Sequence, residues 1–314
     1  MAEDRTSYDA FVRFLATPLN DGRPFVLRTQ HAVSLHFDHF GTQSFMSLRD
    51  PMRLELGYTR VMMGFLLLQP EPAHICMLGL GGGSLAKYCY RHLPGTTIDA
   101  VEINPDVIAL RDVFRIPADD ARFSVVCADG ADHLERADVR TDVILHDAFV
   151  ADGMRGRCAG RTFLDACRAR LSASGVLAIN FMDDDPALPQ HLEQLRSVFG
   201  SSYALLPCGD DNNFVAFAWK DGSRLPSFHA NATKLLSSPH GSSAYDEPNT
   251  DRSCSRCCGN AGSSSMKLIA STPDALRRAR HASRNVRPAQ RPRIPSATNA
   301  SCRITSVRTS ARSR

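Results

Sequence analysis

Residues 75–87 read ICMLGLGGGSLAK. Four apolar residues run directly into Gly79, Gly81, Gly82 and Gly83, and helix-forming residues follow, the pattern of a buried parallel strand turning into a helix. Glycines at such a turn let the backbone approach a ligand. The spacing Gly79-x-Gly81-x-x-Ser84 is nearly a dinucleotide fingerprint, and by itself admits NAD(P), FAD, S-adenosylmethionine or a tight turn that holds nothing.

Outward from this loop, apolar strands alternate with helical patterns. Strands are expected at 74–80, 97–103, 122–128, 141–148 and 175–181, then in SSYALLP (201–207) and NNFVAFAWK (212–220). Helices are expected at about 84–92, 105–113, 129–136, 161–171 and 187–198. That order predicts an α/β fold with a doubly wound, mostly parallel, Rossmann-like sheet. The last two strands are joined by only CGDDN, too short for a crossover helix, so they should pair antiparallel. A parallel sheet ending in such a hairpin is of the methyltransferase type. Before the loop, RPFVLRTQ, AVSLHFD and TQSFMSLRD alternate apolar and polar residues between turn signals, which predicts a small N-terminal antiparallel β unit. LELGYTRVMMGFLLL has helical spacing, and its Met62–Met63 pair reads as core.

Three regions are expected: 1–53 with the β unit, a catalytic domain over 54–227, and a tail over 228–314. The net charge of +4 is divided unevenly, with 22 basic and 29 acidic residues in 1–227 against 15 and 4 in 228–314. The tail, rich in Ser, Arg, Pro and Asn, has too little apolar surface to offset its ordering entropy and is expected to be disordered. It lacks the aromatics that stack bases, which argues against nucleic acid as a partner. Its abrupt start after FVAFAWKDGSRLP also fits an out-of-frame reading. No run approaches the ~20 apolar residues of a membrane span, and MAEDRTSYDAFVRF has no apolar core of a secretory signal, so a cytoplasmic protein is expected. Of ten cysteines, Cys76, Cys89, Cys127, Cys158, Cys167 and Cys208 lie in or beside apolar runs and read as small hydrophobes. Cys254, Cys257 and Cys258 form CSRCC without a second half at metal-site spacing, and no metal is expected.

In an open α/β sheet the ligand lies beyond the carboxyl ends of the strands. Glu102 ends the second strand, where a carboxylate can accept both hydroxyls of a ribose; Asp129 follows the third, where it and the backbone at Gly130 can read an adenine edge; Asp147 ends the fourth, where the reacting group belongs. Each alone could equally be a helix cap. Three in succession after a glycine loop favour an adenosyl ligand.

Across residues 25–220 the chain resembles the spermidine synthases, the polyamine aminopropyltransferases, especially a spermidine-synthase-like bacterial branch. GTQSFM, LGYTR, GLGGGS, VEINPDVI, CADGAD and DVILHDAF carry the resemblance. It implies that Gln43, Gly79, Gly81, Gly82, Glu102, Asp129 and Gly130 hold decarboxylated S-adenosylmethionine, or S-adenosylmethionine itself, and that Asp147 is catalytic. Tyr58 would help to bind the polyamine, a homodimer is the default assembly, and the reaction is aminopropyl transfer to an amine such as putrescine. Asp147, Asp152 and Tyr58 would wall an ammonium substrate.

Three departures stand beside the matches. Gly82 occupies the aspartate position of the family's GGGDGG, Val150 replaces the second aspartate of DSxDP with Asp152 as a candidate substitute, and Thr59-Arg60 replace a His or Gln followed by Glu. Losing carboxylates weakens diamine binding, each charge-assisted contact contributing about 1.5–3 kcal/mol. Gly82 also relieves repulsion against a carboxylated donor, so an S-adenosylmethionine methyltransferase is the alternative, followed by a silent nucleoside-binding relative; NAD-dependent dehydrogenation fits poorly. His146 is a candidate base but reads first as a packed residue. Asp183, Asp184 and Asp185 read as a solvated helix start, and Asp210 and Asp211 as turn residues.

Overall fold

The computed structural model describes residues 23–38, 41–136, 140–148, 158, 160–209 and 212–220. The expected tail, Val150, Asp152, Asp210 and Asp211 therefore lie outside the described residues.

The N-terminal unit is a three-stranded antiparallel sheet of β1 (Phe25–Arg28), β2 (Ala32–His36) and β3 (Ser44–Ser47), in that order. Every residue of β2 is buried, as befits a central strand. A short helix α1 (Gly57–Met62) and a 3-10 turn (Met63–Leu67) follow, so the expected long helix is split in two. Met62 and Met63 are core residues.

The main sheet has seven strands in the order β6-β5-β4-β7-β8-β10-β9. β4 (His74–Leu78), β5 (Thr97–Glu102), β6 (Phe123–Cys127), β7 (Thr141–His146) and β8 (Leu171–Met182) run parallel. β10 (Asn213–Trp219) lies antiparallel between β8 and β9 (Tyr203–Pro207), which is the expected hairpin. The connecting helices are α2 (Ser84–His92), α3 (Pro105–Ile108), α4 (Gly130–Arg136), α5 (Arg161–Arg170) and α6 (Leu188–Phe199).

Alternation along the strands divides the core. Met77, Val143, Leu145, Ala178, Val215 and Phe217 face one side, together with Val33, Leu35 and Met46 of the N-terminal sheet. Leu78, Ile144, Leu177, Ile179, Ala216 and Ala218 face the other, against α5 and α6. The small sheet thus shares a core with one face of the large one and lies near the glycine loop.

α3 is shorter than expected. Asn104 caps it by accepting the Asp106 N–H at 2.9 Å, and Pro105 opens it, but after Ile108 the chain turns through i→i−3 bonds such as Leu110 N–H to Val107 O. The turns carry Phe114, fully buried, against the glycine loop. Cys76, Cys89, Cys167 and Cys208 are buried thiols, and burial pushes Cys76 and Cys89 up to about 12. Cys127 departs from the expected packing: it ends β6 and is exposed. Among the described residues, no helix is long and apolar enough to cross a membrane.

At Gly79 (φ 97°) a Cβ would lie 2.3 Å from the Asp147 carbonyl oxygen, while its N–H donates to Val101 O at 2.8 Å. Gly79→Ala should lower the unfolding free energy by about 2 kcal/mol or more in urea titrations, from backbone strain and the clash together. Gly95, with nothing within 4 Å of its Cβ position, should accept alanine with a change of at most about 0.5 kcal/mol.

Candidate active site

β7 delivers Asp147 to the carboxyl edge of the sheet, on the face toward α1. Its Oδ2 accepts the Tyr58 hydroxyl at 3.1 Å and its Oδ1 accepts the Asn180 side-chain N–H at 2.9 Å. Asn180 lies on β8, 2% exposed, and its own carbonyl accepts an Asn213 side-chain N–H at 2.9 Å. A continuous polar chain therefore runs Tyr58, Asp147, Asn180, Asn213. Burial pushes the Asp147 carboxyl up to about 6, and the hydrogen bonds from Asn180 and Tyr58 pull against that rise.

Asn180 and Asn213 are missing from the sequence-derived set. Their signal was an amide inside the apolar run GVLAINF, since a buried amide must find partners. What they partner becomes visible only through the antiparallel register of β8 with β10.

The glycine loop meets Asp147 from β4. Its backbone is held from β5 by Glu102, whose Oε2 accepts the Leu80 N–H at 3.0 Å and whose Oε1 accepts the Asn104 N–H at 2.9 Å. Each carboxylate oxygen has two lone-pair sites, so these bonds leave acceptor capacity for hydroxyls of a bound ribose. Asp129 is a helix cap: its Oδ1 accepts the N–H groups of Ala131 and Asp132 at 2.8 and 3.1 Å. The cap orients the start of α4 and keeps Gly130 beside Leu78 at the β4 strand end. Gln43 precedes Ser44, and the Ser44 Oγ lies 3.5 Å from Ser84 Oγ at the start of α2. The structure thus gathers Gly79, Gly81, Gly82, Glu102, Tyr58 and Asp147 at one strand edge, with Asp129–Gly130 at the adjoining strand end, while Gln43 lies just before β3 with its amide beside Gly41. The loop cradle and the strand-end acids fit an adenosyl ligand.

His146 belongs to the other side of the sheet. It is fully buried, its Nε2 donates to Cys158 O at 2.9 Å, and its ring packs on Phe163 at 4.9 Å. Burial pushes it down to about 4. It is a packed residue facing away from the Asp147 carboxylate. A cavity of about 10 Å³ beside it, bordered by Phe181, His191 and Gln194, has room for about one water and is separate from the strand-end site. Asp185 accepts the Ala187 N–H at 2.8 Å just before α6, consistent with a helix start. Arg60 turns its Nη1 to the carbonyls of Leu54 and Glu55, at 2.8 and 2.7 Å, which accounts for a cation at that position.

A methyltransferase-type α/β sheet with a glycine cradle and acids at successive strand ends defines a nucleoside-binding transferase class. Residues 55–200 match the Spermine/spermidine synthase domain. Over 200 residues the chain is 38% identical to the polyamine aminopropyltransferase of Chromobacterium violaceum, a match covering 63% of this chain and 76% of that protein. The chain belongs to the spermine/spermidine synthase family. In fold it is similar to a probable spermidine synthase from Corynebacterium glutamicum (TM-score 0.57, 16% identity, 75% of this chain and 95% of that one). It is also similar in fold to human methyltransferase-like protein 13 in complex with SAH (TM-score 0.51, 22% identity, 62% and 95%).

The raised Asp147 carboxyl has a consequence for stability. In the folded protein it takes up a proton near pH 6, against 3.8 for an ordinary aspartate, so the folded state binds more protons across that window and loses stability as pH rises through it. Asp147→Asn should therefore gain thermal stability relative to the parent near pH 7.5, and gain less near pH 5, when both are compared by calorimetry.

Proposed function

We propose that this protein transfers an aminopropyl group from decarboxylated S-adenosylmethionine to a polyamine such as putrescine. One observation carries the reading: a half-buried carboxylate, Asp147, held by Tyr58 and Asn180, with its own backbone against the glycine loop.

When bound, the sulfonium donor supplies an electrophilic carbon and a neutral thioether leaving group. The protein's task is to align the amine and take its proton. Asp147 orients the attacking nitrogen and accepts the proton it loses when the new carbon–nitrogen bond forms. Two donated hydrogen bonds steady the carboxylate before the amine arrives, and Tyr58 adds an aromatic wall for the ammonium form. On the donor side, Gly81, whose Cβ position meets only Ser44 Cβ at 3.9 Å, allows close backbone approach, Gly79 and Gly82 shape the loop, Glu102 takes the ribose hydroxyls, and Asp129 with Gly130 reads the adenine edge, with Gln43 at the rim. Asp152 would help wall the ammonium substrate in place of the second aspartate that Val150 replaces. The proposed enzyme works without a metal, as a homodimer in the cytoplasm, and its chemistry resides in residues 54–227.

The test is release of methylthioadenosine by the full chain given decarboxylated S-adenosylmethionine with and without putrescine. Release should depend on the amine and fall at least about 100-fold in Asp147→Asn. Release that ignores the amine, or that survives the substitution, contradicts the reading.

A further inference from the structure

On the α5–α6 side of the main sheet, His146 Nδ1, His191 Nε2 and Gln194 Oε1 are buried with no hydrogen-bond partner among the described residues. His146 comes from β7, and His191 and Gln194 from α6. All three residues border one cavity of about 10 Å³, whose other walls include Phe163 and Leu164 of α5 and Ile179 and Phe181 of β8. A buried polar atom left unpaired is costly, so three of them at one largely apolar cavity call for a single group that pairs them together.

The chemistry of the three atoms restricts what that group can be. His146 donates from Nε2 to Cys158 O at 2.9 Å, and burial pushes its ring down to about 4, so near pH 7 it is neutral and Nδ1 carries a lone pair. That nitrogen must accept. Gln194 Oε1 is an acceptor as well. His191 Nε2 stands 3.7 Å from Asp185 Oδ2, too far for a hydrogen bond but close enough for the carboxylate to favour a proton on that nitrogen, which makes it the donor. Two acceptors and one donor are the complement of a water molecule, which gives two protons and accepts at its oxygen. The cavity's volume suits one water and nothing larger. A metal ion fits poorly, because among the described residues no group of three or more His, Cys, Asp or Glu side chains is placed to hold one.

We propose that this cavity is a binding site for one water molecule, which donates to His146 Nδ1 and Gln194 Oε1 and accepts from His191 Nε2–H. The water satisfies His146 on its second nitrogen and so keeps the ring proton on Nε2, where it serves the Cys158 carbonyl. It also joins α6 to the end of β7, one residue before Asp147. The site is separate from the adenosyl reading, and each can fail without the other.

The experiment is NMR of the full chain labelled at isoleucine methyl groups and with nitrogen-15, with a high-resolution crystal structure of the same chain as the second measurement. An Overhauser effect between the Ile179 methyl groups and water is expected, with the sign of a long-lived buried molecule. Near pH 7 the His146 ring should show a protonated Nε2 and an unprotonated Nδ1. The crystal should show density for one oxygen within about 3.2 Å of all three atoms. In the double variant His146→Phe, Gln194→Leu the water keeps a single partner, and the Ile179 effect should be lost. A dry cavity, a metal ion in the density, or a Gln194 amide donating directly to His146 Nδ1 overturns the inference, as does an Overhauser effect that survives the double substitution. The unsubstituted protein decides the matter even if the double variant does not fold.

Discussion

The backbone contact between Gly79 and Asp147 is the constraint on which the site depends. The Asp147 carbonyl occupies the space a side chain at 79 would fill, and the Asp147 N–H donates to Leu78 O at 2.9 Å. The glycine loop and the Asp147 main chain are thereby held together by backbone atoms. Parallel pairing of β4 with β7 makes this possible, because parallel strands bring their carboxyl ends to the same edge. Side-chain chemistry is then layered on a geometry that no rotamer change can loosen.

Around that lock, the charge is balanced with few acids. Burial works against ionisation of Asp147, while the hydrogen bonds of Tyr58 and Asn180 favour it. The two asparagines extend this support to β10, so the antiparallel end of the sheet contributes directly to the parallel half's chemistry. Two of the departures from the family pattern have local physical reasons: Gly82 is sterically required by Ser44 and Phe114, and Arg60 serves loop carbonyls. Together they leave Asp147 as the carboxylate that faces α1 at this strand end among the described residues.

Much of this was legible in the sequence, and the limits have physical causes. Seven strands and their antiparallel ending followed from apolar runs and linker lengths, and Tyr58 and Asp147, 89 positions apart, are joined by a hydrogen bond. Asp129 also caps α4 through Oδ1, a local role that any strand-end aspartate can carry. Other features needed tertiary information. The roles of Asn180 and Asn213 depend on strand register, and Ser44 matters only because the small sheet packs on the loop. Helical periodicity through 113 did not reveal that Phe114 must leave the helix to fill the space beside Gly82.

The central claim is that Asp147 is the carboxylate that receives the amine, and carbon-13 NMR of its carboxyl tests this most directly. The account predicts a titration midpoint of about 6 in the free protein. It predicts a lower midpoint with putrescine bound, because an adjacent ammonium favours the ionised form. A midpoint near 3.8, or one that does not respond to the diamine, would contradict it.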